Sequence, residues 1–596
     1  MRTWLAAGLG LATLAGLAAC SGDDETVSSV SELAAVQQDK VLAQPAHHGG
    51  HETLPQLSPA QPGTLNACAG LASTFSAAHT VIDSAADVAA GLLSVGGQPV
   101  GAHCLVAGRM HVRTGSDGQT YAIGFEMRLP QAWNGRFYYQ GNGGLDGSVI
   151  PAIGTGTGGG PLTSALLQGF AVISSDAGHN GAQTAAFGFE PQARVDYGYQ
   201  AAQKLTPMAK ALVAAAYGRG PDRSYFGGCS NGGRHTLVAT TRLATEYDGF
   251  LAGDPGFNLP KAAVAQVWGT QQYVQAATPG ATTTAPPFLG GFTLPDLSTA
   301  FTAAERATVA SRILARCDRL DGAADGIVGH TAACQAAFKL DRDVPTCSGA
   351  RDGTCLTALQ KQVIGNIHAG AKTSAGAPIY ASFPFDPGLG GADWATWEFI
   401  FALALDPLST GTVFSTPPVF LPSGLTASID TLAAAINATD ATFTESAMQF
   451  MTPPNPADLS VLKNRGAKVI VYHGVADAVF SFNDSVAWYW NLAMESRRDP
   501  RNFARLFAVP GMNHCAGGPA TDQFDLLAPL VKWVEQGQAP EAVVASARGA
   551  GNAGGVNTEV PADWSATRTR PLCAYPQVAR YKGRGSLESA ANFVCQ

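Results

Sequence analysis

The stretch that most constrains the fold is a serine set between glycines, Gly228–Gly232, which reads G-C-S-N-G. An aromatic, strand-like segment at 224–226 precedes it, and a segment of helical character at 233–238 follows it. A strand, a sharp turn and a helix in this order are the sequence form of a nucleophile elbow, which lifts a serine hydroxyl above the edge of a sheet. Glycines are needed because a Cβ next to the strained serine would clash with the turn. The pattern predicts a nucleophile at Ser230.

Two later strand ends add a carboxylate and an imidazole, in the chain order of an α/β-hydrolase. The β-branched run 468–472 predicts a buried strand, and Asp477 lies on the loop after it. A second predicted strand, 505–509, leads to His514. A serine hydroxyl is a weak nucleophile until a base takes its proton, and the base needs a carboxylate to hold its tautomer. We therefore expect Ser230 as nucleophile, His514 as base and Asp477 as the orienting acid.

Each of these residues also has a simpler interpretation. A serine in a glycine-rich turn is usually only a turn residue, and an aspartate after a strand often caps the next element. Asp484 competes with Asp477 for the role of acid, and His473 competes with His514 for the role of base. The joint pattern of order and strand-end placement favours the triad. It predicts an α/β fold with an α/β-hydrolase core.

The N-terminus predicts export. A short basic start and the apolar stretch 5–19 lead to Leu17-Ala18-Ala19-Cys20, which has the form of a lipobox. The apolar run is too short to span a bilayer as a mature helix. We expect a lipoprotein-type signal peptide over 1–20 and a flexible tether over 21–60. A lipid anchor at Cys20 would place the protein at the outer membrane, and a periplasmic or secreted protein is the alternative.

Export into an oxidising space makes the other cysteines a disulfide framework. Eleven cysteines less Cys20 leave ten, enough for five bridges whose pairing cannot be read from spacing. Cys229 precedes the predicted nucleophile and Cys515 follows the predicted base. A bridge between them would tie the two loops together and fix the distance from Ser230 to His514. The alternative is two unrelated buried thiols.

Composition excludes several classes of protein. A net charge of −8 and the lack of any Lys/Arg run argue against nucleic-acid binding. No C-x-x-C pair occurs, which disfavours a thiolate zinc site or a redox dithiol. With 46% hydrophobic and 14% charged residues, we expect a packed globular protein. We predict a monomer without an organic cofactor, whose partner is a small-molecule substrate.

The chain between the predicted nucleophile and acid is far longer than an α/β connection needs. We expect an inserted lid domain over 257–466, between the two parts of the core at 61–256 and 467–596. Its irregular composition, with Pro- and Gly-rich pieces such as 276–291 and 416–424, suits a segment that covers an active site and contacts substrate.

An acidic loop inside this insertion predicts a cation site. Asp318, Asp321 and Asp325 alternate with glycines, and backbone carbonyls of the same loop could complete a shell of six to eight oxygens around a hard cation. The alternative is a solvated acidic turn. Cys317 and Cys334 flank the loop and could close it. We expect a structural Ca²⁺ ion here.

Taken together, these residues resemble the tannase and feruloyl esterase family of α/β-hydrolases. The resemblance rests on G-C-S-N-G-G-R at 228–234, the His-Cys pair at 514–515 with its flanking glycines, and D-x-x-D-G-x-x-D-G at 318–326. It extends from about Cys68 to the C-terminus. The stretches 504–534 and 569–581 are particularly similar to those of bacterial members that hydrolyse terephthalate monoesters.

The resemblance implies an exported serine esterase that acts through an acyl-enzyme, with the Ser230, His514 and Asp477 triad. It implies an oxyanion hole formed by Gly144 and the amide of Asn231. It also implies that Trp397 and Phe480 hold a substrate ring. The implied calcium ligands are Asp318, Asp321, Asp325 and the carbonyls of Ala323 and Ile327. The implied disulfides are Cys68–Cys104, Cys229–Cys515, Cys317–Cys334, Cys347–Cys355 and Cys573–Cys595.

Two departures from the terephthalate branch bear on the substrate. The stretch 399–425 contains no Arg or Lys, where that branch uses an arginine to bind the free carboxylate. Asn231 stands where that branch has an acidic residue. We therefore expect esters of aromatic acids of the gallate, ferulate or hydroxybenzoate type, with terephthalate monoesters as weak substrates. An amidase or peptidase with the same triad, and a non-catalytic surface lipoprotein with a hydrolase fold, are the alternatives.

Overall fold

The structure is a computed structural model that describes residues 54–155, 159–160, 162–287, 291–421, 423–496 and 499–596. The predicted signal peptide, Cys20 and most of the tether lie outside the described residues. The described part belongs to one compact unit, which spans 47–596. Across these described ranges, no helix combines the length and the apolarity needed to cross a bilayer.

A nine-stranded mixed sheet forms the centre of the molecule. Its strands in chain order are β1 Thr80–Val88, β2 His103–Thr114, β3 Thr120–Pro130, β4 Arg136–Gly141, β5 Ala171–Ser175, β6 Arg223–Cys229, β7 Gly249–Gly253, β8 Lys468–Gly474 and β9 Ala504–Val509. They are arranged as β9-β8-β7-β6-β4-β5-β3-β2-β1. The strands from β9 to β5 are parallel, whereas β3, β2 and β1 pair antiparallel at one edge.

Burial explains the composition of the strands. The parallel strands β5, β7 and β8 are buried along their whole length, as expected for a sheet covered on both faces. The outer strand β1 alternates between half-buried and exposed residues. The larger helices are α1 Ala201–Tyr217, α2 Asn231–Arg242, α3 Leu259–Tyr273, α4 Ala303–Cys317, α5 Ala358–Ala369, α6 Phe482–Ser496 and α7 Leu527–Gln536. Sheet and helices together confirm the predicted α/β fold.

The connection from β7 to β8 holds most of the predicted lid segment. It joins two neighbouring parallel strands, paired from Gly249 with Lys468 to Gly253 with Tyr472. Besides α3, α4 and α5, it contains the short helices Thr331–Ala337, Leu340–Asp343, Ala392–Thr396, Ala402–Ala404, Asp406–Thr412, Ile429–Ala435, Ala447–Met451 and Ser460–Asn464. The division into a core and a separate lid domain remains a prediction, because 47–596 forms a single compact unit.

Smaller elements complete the fold. A π-helical turn covers Asp196–Gln200 and another covers Trp397–Phe401. The remaining short helices are Leu71–Thr74, Gly181–Gln183, Ala186–Phe189, Pro191–Val195, Leu297–Thr299, Asp318–Asp321, Pro387–Gly390, Gly424–Thr426, Pro500–Asn502 and Ala590–Asn592. The two-stranded pairs are Gly63–Thr64 with Ala132–Trp133, Ser94–Val95 with Gln98–Pro99, Thr282–Thr284 with Thr293–Pro295, Ala542–Ser546 with Thr569–Cys573, and Ala579–Tyr581 with Phe593–Cys595.

Candidate active site

The predicted elbow lies between β6 and α2. Ser230 follows the last residue of β6 and precedes the first residue of α2, with φ 64° and ψ −127°, a backbone conformation that L-residues rarely adopt. A Cβ at Gly228 or at Gly232 would collide with the carbonyl oxygen of Gly141 at the end of β4. The two glycines therefore let the turn approach the neighbouring strand, and the hydroxyl of Ser230 stands at the carboxyl end of the sheet.

The structure brings the three predicted triad residues together. The ring of His514 faces Ser230 on one side, with 2.8 Å from Nε2 to Oγ, and Asp477 on the other, with 2.9 Å from Nδ1 to Oδ2. Asp477 lies after β8 and His514 after β9, so neighbouring strands deliver both groups to the same edge. The second oxygen of Asp477 accepts hydrogen bonds from the backbone amides of Val479 and Phe480. The carboxylate is thereby held in one orientation.

The two competitors make other contacts. Asp484 lies on α6, where the side-chain amide of Asn258 donates to both of its oxygens. His473 is completely buried, and its ring nitrogens contact the hydroxyl of Ser485 and the carbonyl of Phe480, each at 2.8 Å. His473 also lies 3.4 Å from Oδ2 of Asp477. It therefore approaches the same oxygen of Asp477 that His514 contacts, while its ring nitrogens are engaged by Ser485 and Phe480.

Ser230, His514 and Asp477 form a hydrogen-bonded chain, hereafter the relay. The pKa values within it follow from burial and from pairing. Burial alone would raise the pKa of Asp477, but the adjacent imidazoles of His514 and His473 hold that pKa well below its usual value. Burial disfavours the charged form of His514, yet Asp477 raises the pKa of His514 above its ordinary value. An ionised acid beside a base of raised proton affinity is the arrangement that stabilises an imidazolium during proton transfer.

A cavity opens beside the serine. It encloses about 580 Å³ of empty space, part of it open to solvent. Ser230, Gly144, Asn231, Trp397 and Phe480 line it, as do apolar residues of α3. The rings of Trp397 and Phe480 meet the imidazole of His514 edge to face, with centroids 4.8 and 5.4 Å away. Both aromatic residues that were predicted to contact substrate therefore lie next to the catalytic base.

The predicted oxyanion residues line the same cavity as the serine. Asn231 is the first residue of α2, where backbone N–H groups lack an intrahelical acceptor. Gly144 lies on the loop after β4 with φ 62°, a conformation that glycine adopts without cost. The hydroxyl of Tyr197 donates to the carbonyl of Gly144 at 3.1 Å. The side chain of Asn142 steadies the same loop by donating to Ser174 and to the carbonyl of Ser175.

Sequence reasoning did not identify several residues that line the cavity. Tyr197 comes from a π-helical turn, Gln266 from α3, and Asp406 and Ser409 from the helix Asp406–Thr412. Among the described lining residues, Asp406 is the only one with an acidic or basic side chain. Burial raises the pKa of Asp406 to about 8. No local pattern marked these residues, because they come from elements distant in the chain.

Five disulfides form, in the pairs that the resemblance implies: Cys68–Cys104, Cys229–Cys515, Cys317–Cys334, Cys347–Cys355 and Cys573–Cys595. The bond between Cys229 and Cys515 joins the residue before Ser230 to the residue after His514. It crosses a sequence separation of 286 residues. The bridge therefore ties the elbow directly to the loop that carries the base.

The acidic loop keeps its carboxylates close together. Asp321 accepts hydrogen bonds from the backbone amides of Ala323 and Gly329, and Asp318 accepts one from the amide of Asp325. Burial, followed by the charges of Asp325 and Asp318, raises the pKa of Asp321 to about 7. Crowded acids of this kind would be relieved by a cation, and all-oxygen donors are the kind that calcium prefers.

Other contacts of the loop limit this fit. The guanidinium of Arg570 pairs with Asp325, which already offsets one of the three charges. Within the described ranges, two sets of three His, Cys, Asp or Glu side chains bring ligand atoms within 4.8 Å of one another, and neither includes the loop. Asp318 and Asp321 still offer the oxygen donors that a hard cation prefers. The carbonyls of Ala323 and Ile327 belong to the same turn.

Comparisons with known proteins agree with this geometry. Residues 104–596 match the family model described as tannase and feruloyl esterase. The chain is 39% identical over 560 residues to the mono(2-hydroxyethyl) terephthalate hydrolase of Piscinibacter sakaiensis, covering 87% of this chain and 89% of that protein. It is 32% identical over 579 residues to an esterase of Xanthomonas campestris pv. campestris, covering 89% and 91%.

Solved structures show the same fold. An esterase from Aspergillus oryzae superposes with a TM-score of 0.69 at 24% identity, over 89% of this chain and 99% of that one. Feruloyl esterase B from the same organism gives a TM-score of 0.68 at 24% identity, over 88% and 98%. The family match spans most of the chain, including the elbow and the strands β8 and β9 that precede Asp477 and His514. The chain therefore belongs to the tannase and feruloyl esterase family, and it is a carboxylic ester hydrolase.

Proposed function

We propose that the protein hydrolyses esters of aromatic acids through an acyl-enzyme on Ser230. The observation that carries the proposal is the continuous relay, in which His514 lies 2.8 Å from the serine hydroxyl and 2.9 Å from Asp477. These are hydrogen-bond distances, so the proton can move from Oγ to Nε2 without rearrangement.

The reaction follows from the groups in place. His514 takes the hydroxyl proton while Oγ attacks the ester carbonyl, which forms a tetrahedral intermediate with a negative oxygen. The imidazolium then donates that proton to the departing alcohol, and the acyl group stays on Ser230. A water molecule repeats the sequence on the acyl-enzyme and releases the acid. Throughout, Asp477 stays ionised, accepts the hydrogen bond from Nδ1–H of His514 and stabilises the cationic ring.

The amides of Gly144 and Asn231 are the proposed donors to the negative oxygen. Both residues line the cavity beside Ser230, and Asn231 opens α2, where the helix dipole also favours negative charge. A preorganised donor of this type contributes about 3 kcal/mol to stabilisation of the transition state.

The cavity supports an aromatic acyl group without a negative charge. Trp397 and Phe480 offer ring edges and faces near the imidazole, and the described lining holds one acidic and no basic side chain. A para-carboxylate would therefore find no cation to pair with. Above about pH 8, where Asp406 is ionised, the para-carboxylate would also meet a negative charge, which would not repel a hydroxyl or hydrogen at that position. Hydroxybenzoate, gallate or ferulate esters suit such a cavity better than terephthalate monoesters.

The compartment and the cation belong to the same proposal. Five disulfides favour an oxidising space outside the cytoplasm, in line with the predicted signal peptide and a lipid anchor at Cys20 or plain secretion. Asp318, Asp321 and Asp325, with the carbonyls of Ala323 and Ile327, would hold Ca²⁺. The ion would stabilise the loop and take no part in the ester chemistry.

Two measurements test the proposal. A fluorophosphonate probe should label the wild-type protein at Ser230 and should not label Ser230→Ala. A panel of methyl benzoate, methyl 4-hydroxybenzoate, methyl ferulate and mono(2-hydroxyethyl) terephthalate should show burst kinetics and a preference for the uncharged esters. An unlabelled wild-type protein would rule out the acyl-enzyme, and a strong preference for the terephthalate monoester would refute the argument from the cavity.

A further inference from the structure

A buried polar cluster lies behind the proposed oxyanion donors. It consists of Asp146, Asn231, Arg234 and His235, hereafter the Asp146 cluster. Arg234 has no exposed surface, Asn231 is 1% exposed, and the side chains of Asp146 and His235 are 3% and 8% exposed. Buried charges and amides need defined partners, so the contacts of this cluster carry structural information.

The side chain of Asn231 is held at both ends. Its amide nitrogen donates to Oδ1 of Asp146 at 2.5 Å, and its oxygen accepts from Nε of Arg234 at 2.6 Å. The other nitrogens of Arg234 donate to the carbonyls of Tyr197 at 3.1 Å and Gly198 at 2.7 Å. With its oxygen facing a permanent donor, the amide of Asn231 can only present N–H to Asp146.

Contacts with Tyr197 and Asn231 also constrain the loop from Gly144 to Asp146. Both residues have positive φ, 62° and 49°, and an aspartate in this region needs support from its surroundings. Tyr197 holds the carbonyl of Gly144, and Asn231 holds the carboxylate of Asp146. The loop that carries one proposed donor is thus fastened to the residue that carries the other.

We propose that Asp146 is a positioning residue for the oxyanion hole. By accepting the hydrogen bond from the side chain of Asn231, it sets the separation between the N–H groups of Gly144 and Asn231. The inference rests on the proposed function, because it assigns geometry to the donors of that reaction. Asp146 itself lies outside the described lining of the cavity and acts through Asn231.

The contact also accounts for an amide at position 231. A carboxyl group there would remove the N–H donor and would place two acidic groups opposite each other in a buried site. Burial already raises the pKa of Asp146, and a second carboxyl would raise it further. Burial lowers the pKa of His235, so Arg234 is the one permanent cation that faces Asp146 within the cluster. One cation cannot neutralise two carboxylates.

An exchange of the two side chains tests the proposal. Asn231→Asp should lower kcat on methyl 4-hydroxybenzoate by about a hundredfold, the size of effect seen when one oxyanion donor is lost. Asp146→Asn keeps an acceptor oxygen and should lose less. The double variant Asp146→Asn/Asn231→Asp restores one donor opposite one acceptor and should recover kcat to within about tenfold of wild type. KM should change little throughout.

A second readout separates positioning from folding. The affinity of an aryl boronic acid, whose tetrahedral adduct places an oxygen in the hole, should fall and recover in parallel with kcat. If Asn231→Asp does not fold, Asp146→Ala carries the same test, since it removes the acceptor and adds no charge. Wild-type kcat and boronate affinity in the single variants would overturn the proposal, as would an exchange variant no better than Asn231→Asp. A wild-type protein without esterase activity would instead contradict the proposed function.

Discussion

The disulfide between Cys229 and Cys515 gives the sharpest quantitative prediction. The change is Cys229→Ala with Cys515→Ala, and alanine is chosen because Oδ2 of Asp254 lies 3.6 Å from Sγ of Cys229 and would bond to a serine. The matched control is Cys347→Ala with Cys355→Ala, which removes a bridge from the same chain. The control bridge has a sequence separation of 8 residues, against 286 for the bridge beside the relay.

Loop-closure entropy sets the size of the two effects. A longer closed loop restricts the unfolded chain more, so loss of the 286-residue bridge should lower the free energy of unfolding by about 5.6 kcal/mol. Loss of the 8-residue bridge should lower it by about 2.5 kcal/mol on the same model. Freeing the two catalytic loops should also misplace His514 relative to Ser230. A shift of about 1 Å costs about a hundredfold in rate, so we expect that loss in kcat for the first variant and none for the control.

Guanidinium unfolding, with extrapolation to water, measures the stabilities, and initial rates on methyl 4-hydroxybenzoate measure kcat. The rates are compared at a temperature where circular dichroism shows both variants to be folded. Equal losses of stability in the two variants would refute the loop-length argument. An unchanged kcat without the bridge between Cys229 and Cys515 would show that hydrogen bonds and packing alone hold the relay.

Three further predictions concern the relay, the cavity and the loop. Asp477→Asn should lower kcat by about 10⁴-fold, because the amide favours the wrong tautomer of His514. In the wild type, Asp477 raises the pKa of His514, so the acid limb of the pH profile of kcat/KM should lie above pH 6.5. The preference for methyl benzoate over mono(2-hydroxyethyl) terephthalate should rise as pH passes about 8, where Asp406 becomes charged, and should stay flat in Asp406→Asn. Calcium at a hundred times its Kd should add about 2.7 kcal/mol to the free energy of unfolding, and Asp321→Asn should abolish the gain.

Controls make each outcome decisive. Asp484→Asn should leave kcat near the wild-type value, because Asn258 and not the relay histidine is its contact. A pH-independent substrate preference in the wild type would show that the ester's carboxylate does not approach Asp406. A denaturation midpoint that does not respond to EDTA and added calcium would leave the acidic loop held by Arg570 and backbone amides alone.

Local signals explain why the elbow and the relay could be read from the chain. A strand followed by a strained serine and a helix is specified by neighbouring residues, with glycines wherever another backbone approaches. Asp477 and His514 each follow a strand directly, and parallel neighbouring strands end at one edge of the sheet. Placing a residue after such a strand therefore predicts its position in space. The same logic made the bridge from Cys229 to Cys515 an expectation before the structure.

The substrate cavity had no such local signal. Asp406, Gln266 and Tyr197 come from three separate helical segments, and spacing along a helix does not say which neighbour its face will meet. The contact of Asp146 with Asn231 crosses 85 residues and depends on how the loop after β4 folds over α2.

By itself, the sequence determined the fold class, the family and the order of the proposed catalytic residues, because strand ends and glycine turns are encoded by adjacent residues. Only the tertiary structure placed Asp406 in the cavity and decided the partners of the buried Asp146 cluster. Those properties arise from side chains of distant segments, and only packing brings such segments together and removes the water between them.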